Sequence, residues 1–291
     1  ENTIRALPDD PYSYAALAFA LRKVGKLSKA VQIFKDILAS NTKYAAAHNN
    51  LGLTLSELEK TSEAIIAYLS ALNIAPDYSD ASLNLADLYL EKADFENAVA
   101  CLNKAIARDN GNTSLLIKLS LVLQKQGRLE EAKSILTDSS VSTNTTTSIS
   151  TALANILRDI GDFEGSIEIL YKLGREDPGY PTKQANLGLV YQHQGELIKA
   201  ERSFRKALEK NPDDIPLHIN LAHTLLSGAK YKEGWKELQW RLGQPKTLQI
   251  LTDLPGEQWK GSDLTGKSIL AVCEQGAGDC FQFVRFLPLL I

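Results

Sequence analysis

The sequence predicts an all-α solenoid of stacked helical pairs, followed by the truncated start of an α/β unit at its C-terminal end. Three observations carry this. Pro8, Pro76, Pro178 and Pro212 stand 68, 102 and 34 residues apart, all multiples of 34. A frame of that length begun at Pro11 restarts at Ala45, Ser79, Thr113, Thr147, Pro181 and Ile215, and a fixed period of about 20–50 residues marks a repeat architecture. Beyond Gly243 the period stops and a short run rich in β-branched residues appears.

Each 34-residue unit reads as two helices. Its seventh position is Leu17, Leu51, Leu85, Leu119, Leu153, Leu187 and Leu221. Its eighth (Ala18, Gly52, Ala86, Ser120, Ala154, Gly188, Ala222) and its twentieth (Ala30, Ala64, Ala98, Ala132, Ser166, Ala200, Gly234) are always small. In the first helix, apolar residues at positions 4, 7, 8 and 11, such as Tyr14, Leu17, Ala18 and Leu21, form the stripe of an amphipathic helix. A turn follows at position 15, marked by Gly25, Gly127, Gly161 and Gly195. The second helix carries Leu197, Ala200, Phe204, Ala207 and Leu208 in the sixth unit. The small residues at positions 8 and 20 let the two backbones approach where they cross. Proline at position 32 ends the second helix, because it lacks an N–H and disfavours helix in the residue before it. The predicted organisation is the tail of a preceding unit over 1–10, seven units over 11–248, and a linker with the start of a different domain over 249–291.

Composition narrows the function. Hydrophobic residues are 44% and charged residues 23% of the 291, which fits a folded protein and not a disordered one. Lys+Arg total 32 against Asp+Glu 35, a net charge of -3, without the basic excess of a nucleic-acid wrapper. No apolar run reaches the ~20 residues of a membrane span. Cys101, Cys273 and Cys280 form no CxxC pair and are odd in number, which reads as free thiols in a reducing compartment and a cytoplasmic location. His218 and His223 lie on different helix faces, and no metal site is expected. With no methionine and a start at Glu1, the sequence reads as a piece of a longer protein.

The 34-residue pattern resembles the tetratricopeptide repeat family over residues 11–248. The resemblance implies a right-handed superhelix of helix–turn–helix units with an inner groove lined by the first helix of each pair. Position 6 then faces the groove, and it reads Ala16, Asn50, Asn84, Lys118, Ala152, Asn186 and Asn220. An asparagine amide donates and accepts together, so it can pair with a peptide backbone whatever the side chains. Asn50, Asn84, Asn186 and Asn220 resemble the asparagine ladder of O-GlcNAc transferases, which holds extended polypeptide. The alternative is that they cap or bridge neighbouring repeats. Positions 12 and 13 mix both signs, from Arg22-Lys23 through Ser56-Glu57 to Arg158-Asp159, so neither a polyanion nor a free C-terminal carboxylate is the expected ligand. His48 and His218, both at position 4, read as packing residues, and Cys101 as a partly buried thiol. The Ser/Thr-rich stretch from Asp138 to Thr151 reads as a polar inter-repeat turn, with a hinge or modification site as the other reading. The expected partner is a protein or extended peptide. Self-association through the array ends is a further expectation.

Past the loop over 243–266 the texture changes. Ser268 to Cys273 reads as a buried parallel strand, Glu274 to Asp279 as a glycine turn, and Cys280 to Leu290 as a helix. Strand, glycine turn and helix open a Rossmann-like unit, with Gly276 and Gly278 where free N–H groups could receive a phosphate. Phe281 stands where the dinucleotide fingerprint needs a third glycine. Trp235, Trp240-Arg241, Trp259-Lys260-Gly261, Glu274-Gln275-Gly276, Gly278-Asp279 and Arg285-Phe286-Leu287-Pro288 resemble the start of a heptosyltransferase-like glycosyltransferase domain joined to such repeats in bacteria. That resemblance implies a nucleotide-sugar donor for a longer parent and maps its proposed catalytic base onto Asp279. Read by itself, Asp279 is equally a helix N-cap. Two functions follow: an interaction scaffold needing no cofactor, or a transferase whose repeats present the acceptor.

Overall fold

The computed structural model describes residues 11–137, 147–176 and 182–244. These form fourteen α-helices: α1 (Pro11–Lys23), α2 (Leu27–Ser40), α3 (Ala45–Glu57), α4 (Thr61–Ile74), α5 (Ser79–Glu91), α6 (Phe95–Ile106), α7 (Thr113–Lys125), α8 (Leu129–Thr137), α9 (Thr147–Ile160), α10 (Phe163–Glu176), α11 (Lys183–His193), α12 (Leu197–Leu208), α13 (Ile215–Ser227) and α14 (Tyr231–Leu238). A short 3-10 turn, Gln239–Gly243, follows. No strand occurs among the described residues. The strand and helix expected over 268–290 lie outside them, as does most of the Ser/Thr-rich stretch. Six of the seven expected frame starts are the first residue of a helix.

The reason for so strict a period lies in the turn inside each pair. Position 15 has a positive φ in all seven repeats: 76, 77, 94 and 80° at Gly25, Gly127, Gly161 and Gly195, and 59, 55 and 58° at Glu59, Ala93 and Ala229. Each is the left-handed residue of a Schellman cap. In the first repeat the Gly25 N–H donates to the Arg22 carbonyl and the Lys26 N–H to Leu21. In the third, Ala93 donates to Leu90 and Asp94 to Tyr89. The same two bonds recur in the other five repeats, so the last carbonyls of the first helix are satisfied identically and the second helix always departs in one direction. Glycine marked only four of these turns, and the structure assigns the same conformation to the other three.

Close packing explains the small residues. Positions 8 and 20 are buried in every repeat; Ala18, Ala30, Ala64, Ala86, Ala98, Ala132, Ser166, Ala200 and Ala222 are each 0% exposed. Ser166 has its hydroxyl satisfied by donating to the Ala154 carbonyl, 2.7 Å away. Where position 24 is aromatic, position 8 can lose its side chain entirely. A Cβ on Gly52 would lie 2.6 Å from the Tyr68 ring, and one on Gly188 2.6 Å from the Phe204 ring. Five of the seven position-7 leucines are buried, Leu17 and Leu153 being half-buried.

The chain divides into two compact units, residues 1–186 and 187–291. In the first, helices pack mainly on their immediate neighbours in the chain, and the first helices α1, α3, α5, α7 and α9 also touch in succession. Two clusters form its core, one around Phe34, Leu55 and Tyr68, the other around Leu102, Leu115 and Ile156. In the second unit α13 packs on α12 and α14, and the 3-10 turn returns onto α13.

Candidate functional site

The candidate surface is the exposed side of the first helices, of which α1, α3, α5, α7 and α9 touch in succession, while their small and leucine positions face the core. Within the first unit it carries Asn50 on α3, Asn84 on α5, Lys118 on α7 and, on α11, Asn186 at the same register position. All four are half-buried. Asn220 holds the equivalent place on α13 in the second unit and is described separately.

These residues are not equivalent. The Asn84 amide Nδ2 donates to Oδ1 of Asn49 at 3.0 Å, one repeat earlier. Asn49 is itself only 4% exposed and also hydrogen-bonds the Tyr78 phenol, which burial pushes up from its ordinary value. Lys118 Nζ lies 2.6 Å from the Asp87 carboxylate of the preceding repeat. Arg22 pairs with Glu57 across the first two repeats at 2.9 Å, and Gln124 donates to Asp159 across the fourth and fifth. Bridging between repeats is therefore real at Asn84 and Lys118. The side-chain amide of Asn50 makes no hydrogen bond with any described residue.

In the second unit the Asn220 amide is likewise without a side-chain bond. Its backbone carbonyl accepts from the Thr224 hydroxyl at 2.9 Å and from Gln192 Nε2 at 3.4 Å, and Gln192 also donates to Thr224. His218 is packed as expected. It is 8% exposed, its Nε2 donates to the Pro212 carbonyl at 2.7 Å, Nδ1 faces Glu237, and the ring stacks on Trp240 with centroids 3.9 Å apart. His48 makes the equivalent bond to the carbonyl six residues before it, Thr42, at 3.1 Å. Position-4 histidines thus tie down the loop between repeats.

Cys101 is partly buried with its thiol toward the Ser82 carbonyl, and burial pushes its pKa up, away from thiolate chemistry. Among the described residues no three His, Cys, Asp or Glu side chains group as a metal site, and no helix is long and apolar enough to cross a membrane. Gly276, Gly278 and Asp279 lie outside the described residues. The residue that sequence reading passed over is Asn49. Position 5 holds alanine, leucine, isoleucine or threonine in the other repeats, so a polar amide there was the available signal.

Residues 16–79, 79–112 and 184–214 each match a family model described as tetratricopeptide repeat. Protein FlbA of Caulobacter vibrioides is 23% identical over 283 residues, which is 96% of this chain and 47% of that protein. The uncharacterized protein ycf37 of Pyropia yezoensis is 31% identical over 111 residues, 36% of this chain and 62% of that one. The chain thus spans about half the length of the first of these relatives and 62% of the second. A tetratricopeptide repeat protein from Parabacteroides merdae has a similar structure, with a TM-score of 0.70 and 16% identity over 84% of this chain and 96% of its own.

Proposed function

Because the described helical pairs are tetratricopeptide repeats, we infer that this chain is an interaction scaffold whose first-helix faces hold an extended polypeptide. The observation that carries the reading is the contrast within one register position. Asn84 and Lys118 are spent on their neighbours, whereas Asn50 and Asn220 keep an amide that is partly exposed and unbonded. A free amide on an exposed helical face offers a donor and an acceptor to a peptide group of any sequence. Changing Asn50, Asn84, Asn186 and Asn220 together to Ala is expected to weaken binding to an array of extended peptides, with the helical circular dichroism unchanged. Each neutral hydrogen bond contributes only about 0.5–1.5 kcal/mol, and most of the loss should be reproduced by Asn50→Ala with Asn220→Ala. Equal binding by the quadruple variant would move the site to another face.

The transferase reading of residues 249–291 is a separate proposal supported by their motif run alone. It gives Asp279 the proton of an acceptor hydroxyl and the Gly276–Gly278 turn the donor phosphates. Asp279→Asn can still cap a helix, so in a protein holding the complete domain it should abolish sugar transfer while Tm stays constant. Transfer at the unsubstituted rate would leave Asp279 a structural cap.

A further inference from the structure

The first helical pair differs from the rest of the chain in charge and in surface. Residues 11–44 hold six lysines and arginines against one acid, Asp36, in a chain whose net charge is -3. On the groove side of α1, Phe19 is 45% exposed. Arg22 Cζ and Lys23 Nζ lie 5.3 and 5.5 Å from the centre of its ring, so both cations stand over an aromatic shelf. Arg22 is held by Glu57, and its buried Nε has no acceptor among the described residues. Lys23 is exposed and has no carboxylate partner among the described residues. The Lys118–Asp87 contact shows that position 6 of one repeat meets position 9 of the repeat before it. By that equivalence Asn50 is the position on α3 that faces the position of Phe19 on the adjoining α1.

We propose that Phe19, Lys23 and Asn50 form an acidic-peptide subsite on the first two repeats, resting on the scaffold reading above. An apolar side chain of the ligand covers the Phe19 ring, a neighbouring carboxylate meets Lys23, and the intervening peptide group pairs with Asn50. The local excess of positive charge selects an acid, and it also steers the encounter. Glu57 beside Arg22 opposes a nucleic acid, which would bring a phosphate to every step of its backbone. In an extended segment an acidic and an apolar residue two positions apart project to the same side, as this surface requires.

The test uses a fluorescein-labelled peptide repeating the triplet serine, leucine, aspartate, with fluorescence anisotropy as the readout. Phe19 and Lys23 are surface residues, so their variants should keep the fold. Lys23→Glu should weaken binding roughly tenfold, since an attraction becomes a repulsion, and should favour the same peptide with lysine in place of aspartate. Phe19→Ser should weaken the leucine peptide about fivefold and leave a peptide with serine in place of leucine unchanged. Equal affinity of Lys23→Glu and the unsubstituted chain for the aspartate peptide would overturn the subsite. So would a single-stranded oligonucleotide that binds as tightly as the peptide. If the aspartate peptide fails to bind while other peptides still respond to the asparagine substitutions, the subsite falls and the scaffold reading stands.

Discussion

Phe204→Ala is expected to cost about 3–5 kcal/mol, the range for removing a buried aromatic ring. Phe204 is 0% exposed and its ring lies directly over Gly188. Truncation therefore opens a cavity that the backbone of α11 cannot fill with a side chain of its own. The converse change overfills the same space. A methyl on Gly188 would stand 2.6 Å from the ring, and overpacking of this kind costs about 1–3 kcal/mol. Other repeats show how the two positions compensate, since Ala86 faces a repeat with Leu102 and Ala154 one with Leu170. Gly188→Ala should accordingly be better tolerated in a Phe204→Leu background, with a coupling of about 0.5–3 kcal/mol in a double-mutant cycle. The first repeat accommodates Ala18 with Phe34, both 0% exposed, so helix spacing can adjust where the array allows it. Denaturant unfolding of the four proteins decides the matter; strictly additive losses would show that these two positions do not share a packing space.

Glu59→Gly, Ala93→Gly and Ala229→Gly together should raise stability by about 1.5–3 kcal/mol. Each residue sits at a φ between 55 and 59°, where a Cβ costs about 1–2 kcal/mol that glycine avoids. Part of that gain is offset, because glycine also frees the unfolded chain by about 0.4–1 kcal/mol. The three turns share no hydrogen-bond partner, so their effects should add. A thermal or urea midpoint unchanged or lowered in the triple variant would mean that the left-handed conformation carries no strain at these turns.

Most of the array was legible in the sequence because its constraints are local. A cap that needs one left-handed residue, a crossing that needs two small ones and a leucine that faces the core all recur at fixed spacing. Gly25, Gly127, Gly161 and Gly195 announced four turns, while Glu59, Ala93 and Ala229 hid three, since the pull of two Schellman bonds overrides the preference of the residue. The asparagine column was the harder part. Its four members look alike in sequence, yet Asn84 is spent on Asn49 and Asn50 is not, a distinction that depends on a neighbour 35 positions away. The charged positions 12 and 13 likewise looked like free groove residues, and Arg22–Glu57 and Gln124–Asp159 bind them to each other.

Those ties between consecutive repeats have a mechanical meaning. Arg22–Glu57, Asn84–Asn49 and Lys118–Asp87 each join one first helix to the next across the same face, and so act as rungs that set the spacing of the helices they connect. A ligand that engages a rung residue must first release it, trading one hydrogen bond for another of similar strength. Its net gain at that rung is small, and the helices it has unlatched lose one of the contacts that stiffen their spacing, while the buried core still holds them. Elasticity and recognition are therefore the same property on this surface: what a guest takes from a rung is stiffness, and a guest that uses only Asn50 leaves the spring as it found it.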